Sequence, residues 1–184
     1  AFESAAFVVV PVPYDLTTTY QSGSRRGPQA ILEASGNMEL YDEELGGETY
    51  RAGIHTLEPL EIEASGPEGM TASVQKKIAE IFAAGKIPVM LGGEHSISVG
   101  AVRAARERFP GLSVLHLDAH ADMRDSYQGT PFSHACAARR IAETCPLVQA
   151  GVRSLSLEEA LFLKESGIRT YSAETVNERM PEVV

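Results

Sequence analysis

The chain has 184 residues, with 16 Lys and Arg against 25 Asp and Glu, for a net charge of −9 at neutral pH. With 43% hydrophobic and 22% charged residues, it is neither disordered, collagen-like nor coiled coil. The acidic balance lacks the basic excess of a nucleic-acid footprint, and no apolar run approaches a membrane helix in length. Two cysteines, Cys136 and Cys145, are too few for a disulfide framework and point to a reducing, cytoplasmic setting.

Short apolar runs alternate with helical patterns. Phe7 to Val12 reads as a buried strand closed by a Pro-rich turn. Gly27-Pro28 opens a helix to about Leu40, with Pro in its first turn. A strand is expected somewhere in Tyr50 to His55. Thr71 to Ala84 is the clearest helix, because Val74, Ile78, Ile81 and Phe82 share one face. Ile87 to Leu91 is a strand, Ser96 to Phe109 a helix, and Leu112 to Leu117 a strand apolar enough to be covered on both faces. After a loop, a helix runs from about Ser133 to Glu143 and a strand from Leu147 to Ala150. Ser156 and Glu159 have capping-box spacing and start another helix. Ile168 to Tyr171 is the last strand, and a short helix follows. The alternation predicts a three-layer α/β/α sandwich with a mostly parallel sheet. In such sheets ligands bind at the carboxyl ends of the strands.

Two of those ends carry unusual residues. One strand runs into Gly92-Gly93-Glu94-His95-Ser96, the next into Asp118-Ala119-His120-Ala121-Asp122. Asp118, His120 and Asp122 alternate, so they converge if the backbone stays extended. Carboxylate and imidazole without thiolate favour Mn(II), with Zn(II), Fe(II) and Co(II) as alternatives. Any one of these residues has an ordinary structural explanation. Both loops at one sheet edge weigh toward a metal site.

These motifs resemble the first two metal signatures of the ureohydrolase family, which includes arginase and agmatinase. The runs Pro11-Val12-Pro13-Tyr14-Asp15, Gly23-Ser24-Arg25-Arg26-Gly27-Pro28 and Gly151-Val152-Arg153-Ser154 are similar to family segments too. The likeness spans the chain and is nearest to the agmatinases. It implies an arginase-like fold and two Mn(II) ions per site. His95 and Asp122 would ligate one ion and His120 the other, with Asp118 bridging. It also implies attack on a guanidinium carbon by a metal-bridging hydroxide, releasing urea and an amine. Two cations would make that hydroxide available near neutral pH, and Asp122 would orient it.

His134, sixteen positions after Asp118, resembles the family's proton-shuttling histidine. An imidazole suits proton delivery to a leaving amine. His116 reads as a strand residue behind Asp118, and His55 and Cys136 as packing residues. After Arg153 the chain reads Ser154-Leu155-Ser156-Leu157, without the acid that would meet an α-amino group. That favours agmatine, giving putrescine and urea, over arginine. Arg124, Arg139 and Arg140 leave guanidinobutyrate open. The resemblance also implies a homo-oligomer.

The family's third signature, Ser-x-Asp-x-Asp, is absent after Gly151. Two divalent ions need more negative charge than Asp118, Asp122 and one hydroxide supply. The expectation is therefore that residues 1–184 form the N-terminal portion of a ureohydrolase-type domain. The alternative is a short, inactive polyamine-binding paralogue. A nucleotide-binding domain is disfavoured, because no glycine loop follows the first strand.

Overall fold

The computed structural model describes residues 1–183, with side-chain surroundings through Glu178. Six strands and six helices follow in order. They are β1 (Phe7–Val12), α1 (Gly27–Ser35), β2 (Ile54–Thr56), α2 (Pro67–Ala83), β3 (Ile87–Gly92) and α3 (Ser98–Arg108). Then come β4 (Val114–Leu117), α4 (Ala137–Ala142), β5 (Leu147–Val152), α5 (Leu157–Ser166), β6 (Arg169–Ser172) and α6 (Ala173–Val183). Every strand pair is parallel, and parallel neighbours require the crossover connections that the helices supply. Among the described residues the strands form two sets, β2-β1-β3 and β4-β5-β6.

The core follows from the sequence periods. Val8, Val10 and Val12 alternate inward from β1 and are buried. They join Met70, Val74, Ile78 and Ile81, which form one stripe of α2. A second cluster joins Val99 of α3, Met123, Ile141 of α4, and Leu147 and Val152 of β5. Helix α3 links the two, since its Ala104 packs in the first cluster and its Val99 in the second.

Some boundaries differ from the sequence reading. Helix α1 stops at Ser35 rather than near Leu40, because Gly36 ends it and Met38 and Leu40 turn out to solvent. Helix α2 starts earlier, at Pro67, a residue pre-set for a first turn. The stretch expected as a strand from Tyr50 is a 3-10 turn, Thr49–Ala52, and only Ile54–Thr56 pairs with β1. Gly53 makes the switch at φ 83, and its carbonyl accepts from the N–H groups of Ala6 and Phe7. The expectation that both faces of β4 are covered is wrong. Leu115 and Leu117 are 64% and 73% exposed, while His116 between them is buried. Strand β4 pairs only with β5 among the described residues.

Candidate active site

The loops after β1, β3, β4 and β5 meet at the carboxyl edge, and backbone hydrogen bonds tie them together. Glu94 N–H donates to the Tyr14 carbonyl at 2.8 Å. A Cβ on Gly93 would run into that same Tyr14 backbone, so only glycine lets the β3 loop pass so close. The β4 loop is zipped to the β5 loop. Arg153 and Ser154 N–H both donate to the Ala119 carbonyl, and Ala121 N–H donates to Ser154. Gly151 takes φ 95 beside the Asp118 carbonyl, a conformation closed to most side chains. Asp122 adopts φ 50 and is nearly buried. Asp tolerates this left-handed region better than most residues, at a strain of order 1–3 kcal/mol. Its carbonyl accepts from Arg139 N–H at 3.0 Å, which helps hold the turn.

The side chains this frame presents are acidic and imidazole. Donor atoms of His95, His116, Asp118 and Asp122 lie within 4.8 Å of one another. His95 Nδ1 is 2.7 Å from Asp122 Oδ2 and 3.6 Å from Asp118 Oδ2. The other Asp118 oxygen turns the opposite way. Oδ1 lies 3.3 Å from His120 Nδ1 and accepts from His120 N–H at 2.8 Å. The structure thus brings His95, Asp118 and Asp122 together. His120 stands on the far side of Asp118 with its side chain 64% exposed. A carboxylate with one oxygen on each of two imidazole sets suits two adjacent ions.

His116 is the member that sequence reasoning set behind the site. It is buried, with Nε2 3.5 Å from Asp118 Oδ2. Its other nitrogen meets Gln149 Nε2 at 2.9 Å. The Gln149 amide is orientated by its partners: its nitrogen also donates to the Ala121 carbonyl, and its oxygen accepts from Thr170. A flipped amide would set oxygen against oxygen. His116 Nδ1 is therefore an acceptor, and the neutral ring carries its proton on Nε2, facing Asp118. In that form His116 turns an N–H toward the carboxylate at 3.5 Å, without the geometry of a hydrogen bond, and offers no lone pair to a metal. Gln149, a fully buried polar residue in an apolar strand, was missed. Its polarity within Leu147–Ala150 was the available signal.

The protonation balance follows this geometry. Burial works against a charged His95. The Asp122 hydrogen bond, with the negative charges of Asp122, Asp118 and Glu94, wins and raises its pKa above the ordinary histidine value. For His116, burial and the neighbouring His95 push the pKa down. Burial opposes ionisation of Asp118, but the His120 N–H and three nearby imidazoles hold its carboxyl below the usual range.

His95, Asp118, His120 and Asp122 line a cleft of about 450 Å³ together with Glu94, Arg124, Tyr127, His134, Ser154, Leu155 and Glu159. His134 sits at the start of a 3-10 turn before α4, and its ring meets Tyr127 edge-on at 6.0 Å. Glu159 is committed elsewhere, accepting from Met123 N–H and Ser156 N–H. Arg124 stacks on Tyr127 and approaches Glu159. Arg139 covers the Phe162 ring, and Arg140 pairs with Asp125 and Glu143. Of the three arginines only Arg124 reaches the cleft. Cys136 is fully buried and is a free thiol, as is Cys145 of the second core cluster. His55 packs edge-on against Phe2. No helix of the described residues is long and apolar enough to cross a membrane.

A parallel α/β frame with a His/Asp cluster at its carboxyl edge offers a donor set that could hold a metal ion. Residues 5–184 match the Arginase family, and the chain belongs to it. An N(1)-aminopropylagmatine ureohydrolase of Synechocystis sp. is 40% identical over 180 residues, covering 94% of this chain and 59% of the relative. An agmatinase of Bacillus anthracis is 31% identical, covering 100% of this chain and 64% of the relative. The crystal structure of the agmatine ureohydrolase of Thermoplasma volcanium superposes with a TM-score of 0.88 at 35% identity, covering 97% of this chain and 61% of that one. The chain therefore spans about three-fifths of the length of these relatives. The motif resemblance and the arginase-like α/β fold are borne out.

Proposed function

We propose that this chain carries the metal-binding part of a ureohydrolase that cleaves a cationic guanidino compound, with agmatine as substrate and putrescine and urea as products. The observation that carries the reading is Asp118. Its two oxygens face different imidazoles on one cleft, and His134 lines the same cleft.

Oxygen and imidazole donors fit Mn(II). His95 and Asp122 would hold one ion, His120 the other, and Asp118 would lie between them. Bound there, two divalent ions would supply a hydroxide nucleophile near neutral pH and polarise the guanidino group. The chain's own residues do the rest. Asp122, fixed by its strained turn, would orient the nucleophile by accepting its hydrogen bond. His116, held by Gln149, would keep the Asp118 carboxylate in place. His134 would hand a proton to the departing amine. The acidic cleft would favour a cation, and Tyr127 offers an aromatic edge to an aliphatic stem.

Ser154, Leu155 and Ser156 present no carboxylate to an α-amino group, which argues against arginine. Arg139 and Arg140 are tied to other partners, which leaves Arg124 as the arginine of the three that could meet the carboxylate of guanidinobutyrate in the cleft. A second reading is N(1)-aminopropylagmatine. It is favoured by the higher identity to relatives of that name, and its extra cationic amine suits the acidic cleft equally well.

Urea release with Mn(II) tests these readings across agmatine, N(1)-aminopropylagmatine, arginine and guanidinobutyrate. The expected order puts the first two well ahead of the others. Faster turnover of arginine would overturn the substrate assignment. Replacing His120 by Ala should lower bound Mn(II) and remove activity. Undiminished metal content in that variant would contradict its role as a ligand.

A further inference from the structure

Thr17 lies in the loop after β1, distant in sequence from every metal-motif residue, yet it is buried against two of the cleft's groups. Its Oγ1 is 2.9 Å from Glu94 Oε1, and it accepts the His134 backbone N–H at 2.9 Å. The same oxygen is 3.2 Å from His134 Nδ1. One hydroxyl therefore meets a carboxylate, a backbone donor and a ring nitrogen, and it has a single proton to give.

The competition has a definite winner. A carboxylate oxygen can only accept, and a hydrogen bond to an ionised acceptor is about twice as strong as one between neutral groups. The Thr17 proton therefore goes to Glu94. Were it turned to the ring, the Thr17 and Glu94 oxygens would face each other at 2.9 Å with no proton between them. The remaining lone pairs of Thr17 Oγ1 accept, one from His134 N–H and one from the ring. Ser133 Oγ, 3.3 Å from the same Nδ1, can rotate to accept from it as well, whereas a Ser133 proton turned to Nδ1 would leave the Thr17 oxygen 3.2 Å from a bare ring nitrogen with no proton between them. Glu94 is itself fixed, since Ser96 N–H donates to Oε2 at 2.7 Å and Ser96 Oγ to Oε1 at 2.8 Å.

We infer that Thr17 is a positioning residue that sets the tautomer of His134, with Nδ1 carrying the proton and Nε2 left bare. In water the opposite tautomer of a histidine ring is the commoner one, so the loop overrides a preference. A bare Nε2 on a ring anchored at Nδ1 accepts a proton and passes it on without the ring turning. That use rests on the proposed role of His134 in proton delivery. The tautomer itself does not.

Nitrogen-15 NMR of the histidine rings in the intact chain, above the titration range, tests the tautomer directly, with His134 assigned from a His134→Gln sample. The wild type should show a protonated Nδ1. Thr17→Ser keeps the hydroxyl and should keep that pattern. Thr17→Val keeps the shape but removes the acceptor, and should shift most of the population to Nε2–H. Glu94→Gln provides an independent route. Ser96 N–H holds the amide oxygen at the Oε2 position, so the amide nitrogen faces Thr17 as a donor. Thr17 can then give its proton to Nδ1, and the tautomer should invert with Thr17 still present. A wild-type ring protonated at Nε2, or Thr17→Val and Glu94→Gln rings both unchanged in well-dispersed spectra, would overturn the inference.

Where urea release is measurable, Thr17→Val should lower kcat by about ten- to a hundredfold with little change in KM, and Thr17→Ser should restore it. The expected NMR pattern with urea release undiminished in Thr17→Val would sink the proposed proton delivery by His134 and leave the tautomer assignment standing. An equal loss in Thr17→Ser and Thr17→Val would count against the positioning role.

Discussion

Two buried side chains near the cleft show how partners decide a residue's worth. The Tyr14 hydroxyl is 1% exposed with no hydrogen-bond partner, an arrangement that costs roughly 1–3 kcal/mol. Tyr14→Phe should therefore be neutral or stabilising by about 1 kcal/mol in urea denaturation. A loss above ~1 kcal/mol would show that the hydroxyl is satisfied. Burial and the Glu94 charge push the Tyr14 pKa up to about 12. The folded state thus holds this proton while the unfolded chain releases it from pH ~10 upward. Its contribution is intact below pH 10 and lost as pH rises toward 12, by about 3 kcal/mol in all. Tyr14→Phe should lack that part of the alkaline decline. Gln149 is the reverse case, with every polar atom used. Gln149→Leu strands His116 Nδ1 and the Ala121 carbonyl, and should cost about 2–4 kcal/mol. It should also weaken Mn(II) binding by freeing the ring behind Asp118, which titration calorimetry would register.

At the scale of the element, what was legible depended on whether the signal was local. Helix α5 is the clear success. The Ser156 side chain accepts from Glu159 N–H while the Glu159 side chain accepts from Ser156 N–H, as the spacing of those residues announces. Glu159 also accepts from Met123 N–H, one residue past Asp122, so the cap is tied to the loop that carries Asp118 and Asp122. Ser156→Ala should cost about 1 kcal/mol, an ordinary cap loss. Glu159→Ala should cost more, because it also leaves a buried N–H beside the site unpaired. Equal losses in thermal melts would mean that the loop does not depend on the cap. Strand β1 and helix α2 were readable because their apolar periods reach across whole elements. The 3-10 turn at Thr49–Ala52 was not, since Tyr50 suggests a strand and only the pairing of Gly53 with Ala6 and Phe7 fixes the outcome. Within the site, the motif residues announced themselves by composition. Thr17 and Gln149 did not, because their importance lies in partners 77 and 33 positions away.

For the whole molecule, the two strand sets leave apolar surface in the open. Ile87 and Val89 on β3 are 53% and 41% exposed, and Leu115 and Leu117 on β4 more so. On the opposite faces of these strands, Met90 and Val114 line an apolar hollow of about 300 Å³ with Ile78, Phe82 and Val102. Both strands pair on one side only among the described residues, and open, flat, apolar edges invite association. Continuous apolar sequence in β4 reads as a strand covered on both faces, which explains why its exposure could not be anticipated from the residues alone. The 184-residue chain should therefore bind a hydrophobic dye and self-associate in a concentration-dependent way. Replacing Leu115 and Leu117 by Thr keeps the strand propensity and removes most of that apolar area. The double variant should show weaker dye fluorescence and less association by sedimentation. Its folding stability should stay within about 1 kcal/mol, because exposed positions carry little. His116 between them still points to Asp118, so its NMR signals should be preserved. Unchanged dye binding, or a stability loss above ~2 kcal/mol, would mean that these leucines are buried in solution by some contact of the chain with itself.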